Sequence, residues 1–344
     1  MVAEKTEKHL YTKVKNLPDF SNLDTKVKAL VKSSSWFELY GYDWLQFTLA
    51  ILCLPLGIFV LRHEDLRVQF FGFCLLTCYH TCLSTRAGHM ALHSALVQSQ
   101  NWNYAWQMFF CEFIGAYSAK SAHDIHIKYH HPYTNIIGLG DSSTWKAPFL
   151  SSYVYMFLAP FTVPALNLIV SLRLLIEGYD WKHLTMFLVR ALSGVAFHLF
   201  LLMYISNLSF LGAFGVLYLY RAGLSIQYIH INIFQHIGLP MYSPEDRPAR
   251  IYQMTSGCLN LGRNVLLDFN FGHSLISCHI EHHLFPRLSD NMCLKVKPVV
   301  RAFLTENGLP YREESYTSRL ATFLKEYETL MVQAPPITHL VGLQ

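Results

Sequence analysis

The stretch Trp44-Leu-Gln-Phe-Thr-Leu-Ala-Ile-Leu-Cys-Leu-Pro-Leu-Gly-Ile-Phe-Val-Leu61 carries no charge. After a short polar connector at residues 62–67 comes a second uncharged run, Val68-Gln-Phe-Phe-Gly-Phe-Cys-Leu-Leu-Thr-Cys-Tyr-His-Thr-Cys-Leu-Ser-Thr85. A hydrocarbon core about 30 Å thick needs roughly 18 or more apolar residues to cross it as a helix, so the two runs predict a helical hairpin spanning a bilayer. Seven lysines lie in residues 1–32, against two arginines in the connector. The positive-inside bias therefore puts the N-terminus in the cytosol, the connector in the lumen, and whatever follows Thr85 back on the cytosolic side. The first forty residues are polar, so the first span itself would serve as the targeting signal.

Composition agrees: 52% of the 344 residues are hydrophobic, 15% are charged, and the mean hydropathy is positive. The eight cysteines are sparse for a secreted disulfide scaffold, and Cys53, Cys74, Cys78, Cys82 and Cys111 in or beside apolar runs read as small buried thiols. A net charge of +4 without a basic stripe excludes nucleic acid as a natural partner. Downstream, residues 147–172 are uncharged but hold Pro148, Pro160 and Pro164; after a connector at 173–190 comes another uncharged run, 191–220. As one helix that run would reach about 45 Å, more than a single crossing needs, and Asn207 and Ser209 mark a break inside it. If the histidines on either side of this region work together, an even number of crossings separates them; two crossings are expected, with the third apolar piece lying in the interface. From Tyr242 the chain is polar and punctuated by prolines, which predicts a cytosolic cap of short helices. The expected fold is all-α: an integral membrane bundle of about four transmembrane helices, with a cytosolic segment at 1–43, the main domain at 44–310 and a cytosolic tail at 311–344.

Eighteen histidines are the remaining anomaly. In the first cluster, Gly88-His89-Met90-Ala91-Leu92-His93, two imidazoles sit at i and i+4 and share a helix face just beyond the second span. His80, nine residues earlier, falls on the opposite face and reads as a packed residue. The second cluster, His123-Asp124-Ile125-His126-Ile127-Lys128-Tyr129-His130-His131-Pro132-Tyr133-Thr134-Asn135, places His123, His126 and His130 on one α-helical stripe, with His131 turned about 100° away. The third, His279-Ile280-Glu281-His282-His283-Leu284-Phe285-Pro286, repeats the logic. Each cluster alone could be a polar helix end. Three together exceed what one metal needs and suit a pair, imidazole being a good donor to iron, zinc or copper. A zinc protease is a poor fit, since there is no His-Glu-x-x-His. The stripe Cys74, Cys78, Cys82 reads as packing.

The ordered set His89-x3-His93, His126-x3-His130-His131 and His279-x2-His282-His283, around two pairs of apolar segments, resembles the membrane fatty acid desaturases, over roughly residues 44–310. The chain departs from the family pattern in having Met90 where many members have Asp, and three rather than two residues before the paired histidines of box two. The resemblance implies a di-iron centre with nine ligands: His89, His93, His126, His130, His131, His236, His279, His282 and His283. His236 is preferred over His230, which lies about 240° of helical turn away, and His123 is an extra candidate that would replace or support His126. Asn232 would hold a water near the metal, while Arg86, Asp124 and Glu281 would orient ligands or equally form surface ion pairs. The implied reaction uses O2 to remove two hydrogens from adjacent carbons of a fatty acyl chain, presented as acyl-CoA or acyl lipid, leaving a cis double bond. An apolar tunnel would position the chain. No haem or nucleotide is expected in the chain itself, which lacks the His-Pro-Gly-Gly motif of a fused donor; electrons would come from membrane cytochrome b5 and its reductase at the endoplasmic reticulum. Arg287, Lys295, Lys297 and Arg301 would offer that donor a cationic face, or simply be solvated charges. A lipid hydroxylase on the same iron site, a metal transporter and a silent metal-holding scaffold are the competing readings. The transporter is disfavoured because the clusters lie outside the spans, where only His80 and His198 are found.

Overall fold

The computed structural model describes residues 17–140, 147 and 149–332. Four of the N-terminal lysines, Pro148 and the segment beyond residue 332 lie outside the described residues. Helices dominate. The one sheet described is a parallel pair, β1 (Asn260–Leu261) with β2 (Glu313–Glu314).

Helix α1 (Phe20–Lys32), capped by the Asp19 carboxylate, leads into α2 (Phe37–Val60). Asp65 caps α3 (Leu66–His80) by accepting from the Arg67 N–H at 2.8 Å. These are the arms of the expected hairpin. A Cβ on Gly57 would lie 2.9 Å from the Gly72 carbonyl oxygen, and one on Gly72 equally close to that of Gly57, so the arms approach backbone to backbone as only small residues permit. Outward, α2 shows Leu45, Leu49, Leu52, Leu56 and Phe59, an exposed apolar stripe that water would penalise and acyl chains would solvate. From His80 the helix continues through a π-helical stretch, Thr81–Ala87, into α4 (Gly88–Leu92), which carries box one.

Next come α5 (Gln100–Gln107), running on into a π-helical turn at Met108–Ile114, and α6 (Ala119–His123), running on into another at Asp124–His130. The long apolar helices α7 (Val154–Glu177) and α8 (Trp181–Tyr204) follow; with α2 they are the three helices long and apolar enough to cross a membrane. The expected connector 173–190 is corrected to a tight turn at 178–180. Arg173 pairs with Glu177 inside α7, and α8 starts at Trp181, the charge of Arg190 being met within the protein by Glu112 at 2.7 Å. The break expected at Asn207 and Ser209 is present: Asn207 takes φ 55°, and Ser209 caps α9 (Phe210–Ala222).

Contacts at the helix ends fix direction. Lys120 pairs with Asp180 at the start of α8, whereas Ser206 beyond its far end donates to the Ile58 carbonyl at the far end of the first hairpin. α8 thus runs away from the histidines, and α9 runs back until Gly223 meets Thr77. Between the two hairpins, the Tyr79 hydroxyl donates to His198 Nε2 (2.9 Å), whose Nδ1 donates to the Gly194 carbonyl. That fully used imidazole is a structural clamp. α7 instead touches histidine-bearing segments at both ends, through Met156 with His230 and Ser171 with Ser118.

The cap comprises α10 (Ser225–Phe234), α11 (Arg250–Ser256), α12 (Val265–Phe271), α13 (His279–Leu284), α14 (Asp290–Glu306) and α15 (Tyr316–Lys325). Leu23 and Val27 of α1 bury against Val296, Val300 and Phe303 of α14, so part of the N-terminal segment belongs to the cap. Residues 316–325, expected within a tail, form α15, with Phe323 buried on Phe234.

Candidate metal centre

Nine imidazoles meet beneath the cap in two groups. His89, His93, His126, His131 and His282 form one; His130, His236, His279 and His283 form the other; in each, the potential donor atoms lie within 4.8 Å of one another, and every member is buried. The two His-His dipeptides explain themselves here. His131 and His282 enter the five-membered group while their neighbours His130 and His283 enter the four-membered one, and the rings of His131 and His283 stack at 4.4 Å where the groups adjoin.

Box two reaches this arrangement through its π-helical turn. The His131 N–H bonds to the His126 carbonyl five residues back, so positions i and i+5 come to share a face and the two Nε2 atoms stand 3.2 Å apart. The α-helical stripe of His123, His126 and His130 is corrected accordingly. His126 and His130 part into different groups, and His123, 37% exposed, lies beside Asp124 and joins neither. The π-helical stretch at Thr81–Ala87 likewise re-phases the preceding helix, so His80 and His89, expected on opposite faces, line one cavity.

Hydrogen bonding tests whether these residues suit a cation. His236 Nδ1 donates to the Gly257 carbonyl (3.0 Å), His279 Nδ1 to the Ser274 carbonyl (3.0 Å), and His283 Nδ1 to Thr134 Oγ1 (3.1 Å), whose own proton goes to the His130 carbonyl. All three Nε2 atoms therefore present bare lone pairs. Yet His279 Nε2 stands 2.8 Å from His236 Nε2 and 3.1 Å from His283 Nε2. Lone pairs so placed repel unless a cation lies among them; donors about 2.1 Å from one ion at right angles sit about 3.0 Å apart. In the five-membered group, His89 and His126 show the same 2.9 Å approach, and His93 Nε2, His131 Nδ1 and both nitrogens of His282 have no hydrogen-bond partner. Burial pulls His89 and His236 down to about 4 and the other seven well below the usual histidine range, with neighbouring imidazoles adding to the effect for most of them. They are neutral, the form that binds metal. The residues fit a metal centre.

The groups that orient these rings were only partly legible. Arg86, fully buried, binds Asp43 (2.8 Å), Asp290 (2.6 Å), Gln46 and the Phe269 carbonyl. Asp290 in turn accepts from the Ser274 N–H (2.9 Å), and Ser274 offers its carbonyl to His279 and its hydroxyl, at 3.4 Å, to His89. Gly272 at φ 87° makes this loop possible, since a Cβ there would fall 2.0 Å from Asp290 Oδ2. Thr134 ties box two to box three, and Asn135 donates to the His236 and Pro240 carbonyls, holding the loop that carries His236. Two expected orienting residues look elsewhere. Asp124 pairs with Lys120 and Lys128 on the surface, and Glu281, its carboxyl pushed up by burial, accepts from Asn260 and Tyr311. His230 also turns away: it donates to the Met156 carbonyl and meets the Tyr316 hydroxyl. Asn232 does face the cavity beside His89 and His126. Cysteines join no such group among the described residues.

From the histidines the cavity runs between α3, α7 and α10, walled by Leu92, Ile125, Val170, Ile231, Phe271 and Leu275. It is an apolar slot opening onto the donor groups, suited to a hydrocarbon chain.

The description "Fatty acid desaturase" belongs to the family model that matches residues 66–315. Fatty acid desaturase 6 of Homo sapiens is 48% identical over 322 residues, covering 93% of this chain and 90% of its own, and that of Bos taurus is 47% identical with 94% of each covered. Fatty acid desaturase 3 of Bos taurus is 24% identical, over 85% of this chain and 63% of its own. Fold, histidine geometry and these similarities agree: the chain belongs to the fatty acid desaturase family and is a membrane enzyme that desaturates fatty acids.

Proposed function

We propose that the metal centre is di-iron, with His89, His93, His126, His131 and His282 holding one ion and His130, His236, His279 and His283 the other. The observation that carries this is the facing of imidazole lone pairs about 3 Å apart in the four-histidine group, where Nδ1–H of three rings is already committed to oxygen acceptors, together with the equally short contact between His89 and His126 Nε2 in the five-histidine group. Iron with dioxygen supplies the oxidising power that an unactivated methylene requires, since such a carbon offers neither an acidic proton nor a leaving group. The chain's residues do the rest. Leu92, Ile125 and Leu275 hold adjacent methylenes against the histidine end of the cavity and keep water from it, Asn232 holds a water beside His89 and His126, and the Ser274 and Thr134 oxygens fix the ring orientations.

Electrons come from cytochrome b5 and its reductase. Their docking does not use all the basic residues after box three, for Lys295 is bound to Glu38 and Lys297 to Glu313 and the Ser277 carbonyl. The catalytic unit covers residues 44–310, with α1 and α15 packed on it. The enzyme sits in the endoplasmic reticulum membrane with its N-terminus and histidines cytosolic; α2, α3, α8 and α9 cross the bilayer while α7 lies along its cytosolic face, which keeps all nine histidines on one side. Expression in a desaturase-deficient yeast fed a panel of fatty acids tests the reading: products should lack two hydrogens, and a His282→Ala, His283→Ala variant should make none. Products carrying an added oxygen, a metal other than iron in the purified protein, or an active double variant would overturn it.

A further inference from the structure

In an α-helix the Gly88 N–H would bond the Ser84 carbonyl; here it reaches the Leu83 carbonyl, five residues back. The Ser84 carbonyl accepts instead the hydroxyl of Tyr117, 33 positions away, at 2.7 Å. A distant side chain thus stands where an α-helical amide would stand, in the wide turn that separates α3 from box one. The local chain is shaped to deliver that hydroxyl. Ala116 takes φ 57°, the Tyr117 N–H bonds the Cys111 carbonyl at 3.0 Å, and the Ser118 N–H bonds the Ser171 hydroxyl at 2.8 Å. The backbone is therefore held on both sides of the ring. On the helix, Gly88 leaves the space: a Cβ there would lie 2.8 Å from the Tyr117 hydroxyl oxygen and 3.2 Å from the Cys111 sulfur. Arg86, in the same stretch, is held through its side chain by Asp43 and Asp290, whereas Tyr117 holds the backbone itself.

We propose, resting on the two-metal reading above, that Tyr117 is a positioning residue. Its hydroxyl keeps the turn at Thr81–Ala87 wide, and so sets the rotation at which box one presents His89 and His93 to the five-histidine group. An α-helix advances about 100° per residue, so closing the wide turn by one residue would swing box one about 100° relative to α3. α3 cannot turn to compensate, because Gly72 meets Gly57 backbone to backbone. His89 and His93 share a face and would leave together. His89 would lose its 2.9 Å approach to His126 Nε2, and His93 its ring contacts with His131 and His282. The four-histidine group takes no member from box one.

The test is a graded chelator titration of the full-length, iron-loaded protein in lipid nanodiscs, followed by elemental analysis. Two variants approach the contact from opposite sides: Tyr117→Phe keeps the ring but removes the hydroxyl, and Gly88→Ala pushes the hydroxyl off the Ser84 carbonyl. In each, half of the iron should leave at about one to two decades lower chelator concentration, while the other half leaves as in the unaltered chain. Combined, the changes should weaken that half no further than either does singly, since both remove one contact. Coincident release curves for Tyr117→Phe and the unaltered chain overturn this role, as do equal weakening of both halves and effects that multiply in the double variant. Poor folding of one variant leaves the other to decide. Those results, on a chain that holds two irons, leave the two-metal reading standing; an unaltered chain that binds fewer than two refutes that reading and this role with it.

Discussion

Thr134 joins the second histidine box to the third, and its hydroxyl is the smallest change that separates orientation from ligation. Thr134→Val keeps the volume and the β-branch but removes the acceptor for His283 Nδ1–H at 3.1 Å and the donor to the His130 carbonyl at 2.8 Å. Position 134 is fully buried, so no water replaces the hydroxyl and the stranded N–H costs about 1–3 kcal/mol. His283 escapes that cost by moving its proton to Nε2 or rotating, and either removes a lone pair from the four-histidine group. Loss of such an orienting partner weakens metal binding about 10–100-fold. The effect should be confined to one site. In a graded chelator titration followed by elemental analysis, the variant should release half of its metal at about one to two decades lower chelator concentration and keep the other half as the unaltered chain does. Thr134→Ser, which retains the hydroxyl, should follow the unaltered chain. Coincident release curves for Thr134→Val and the unaltered protein would refute the coupling, as would equal weakening of both halves.

Arg86→Met leaves the Asp43 and Asp290 carboxylates buried without their cation, a loss of about 3–5 kcal/mol; detergent thermal unfolding should show a large drop, partly restored when both aspartates are also changed to asparagine, and an unchanged midpoint would argue against the triad. Burial lowers His230 to about 4, although its bond to the Met156 carbonyl opposes the shift. Above about pH 6.5 the imidazole is neutral folded or unfolded and contributes nothing pH-dependent; between 6.5 and 4 the unfolded chain binds the extra proton, so stability falls with acid, by about 2 kcal/mol at pH 5. Replacing His230 with Gln should flatten the slope of unfolding free energy against pH in that window by this amount, and parallel slopes would contradict it.

Much of the fold was legible because a bilayer imposes a simple rule on composition. Uncharged runs of sufficient length read as apolar helices of a membrane bundle, and the Asn207–Ser209 break is local chemistry that a chain displays openly. Charge alone misled at 173–190, where Arg190 sits inside a helix because Glu112, 78 residues away, neutralises it. For Asp124 and Glu281 the sequence left ligand orientation and ion pairing both open, because adjacency to a histidine says nothing of which way a carboxylate points; Asp124 pairs with Lys120 and Lys128, and Glu281 accepts from Asn260 and Tyr311.

Spacing and hydropathy by themselves placed three histidine clusters at helix ends beyond apolar spans, because both are properties of short stretches; His236 and the full set of nine came from the resemblance to the desaturases. Which histidine joins which group was decided by tertiary structure alone. A reader of spacing assumes 3.6 residues per turn, whereas the π-helical turns at Thr81–Ala87 and Asp124–His130 shift the phase. Packing selects such turns, since their irregular backbone is worth keeping only where it brings side chains together. The same holds for Arg86 with Asp290, 204 residues apart, and for Thr134 with His283, 149 apart. Contacts closed over such distances exist only once the whole chain has folded around them.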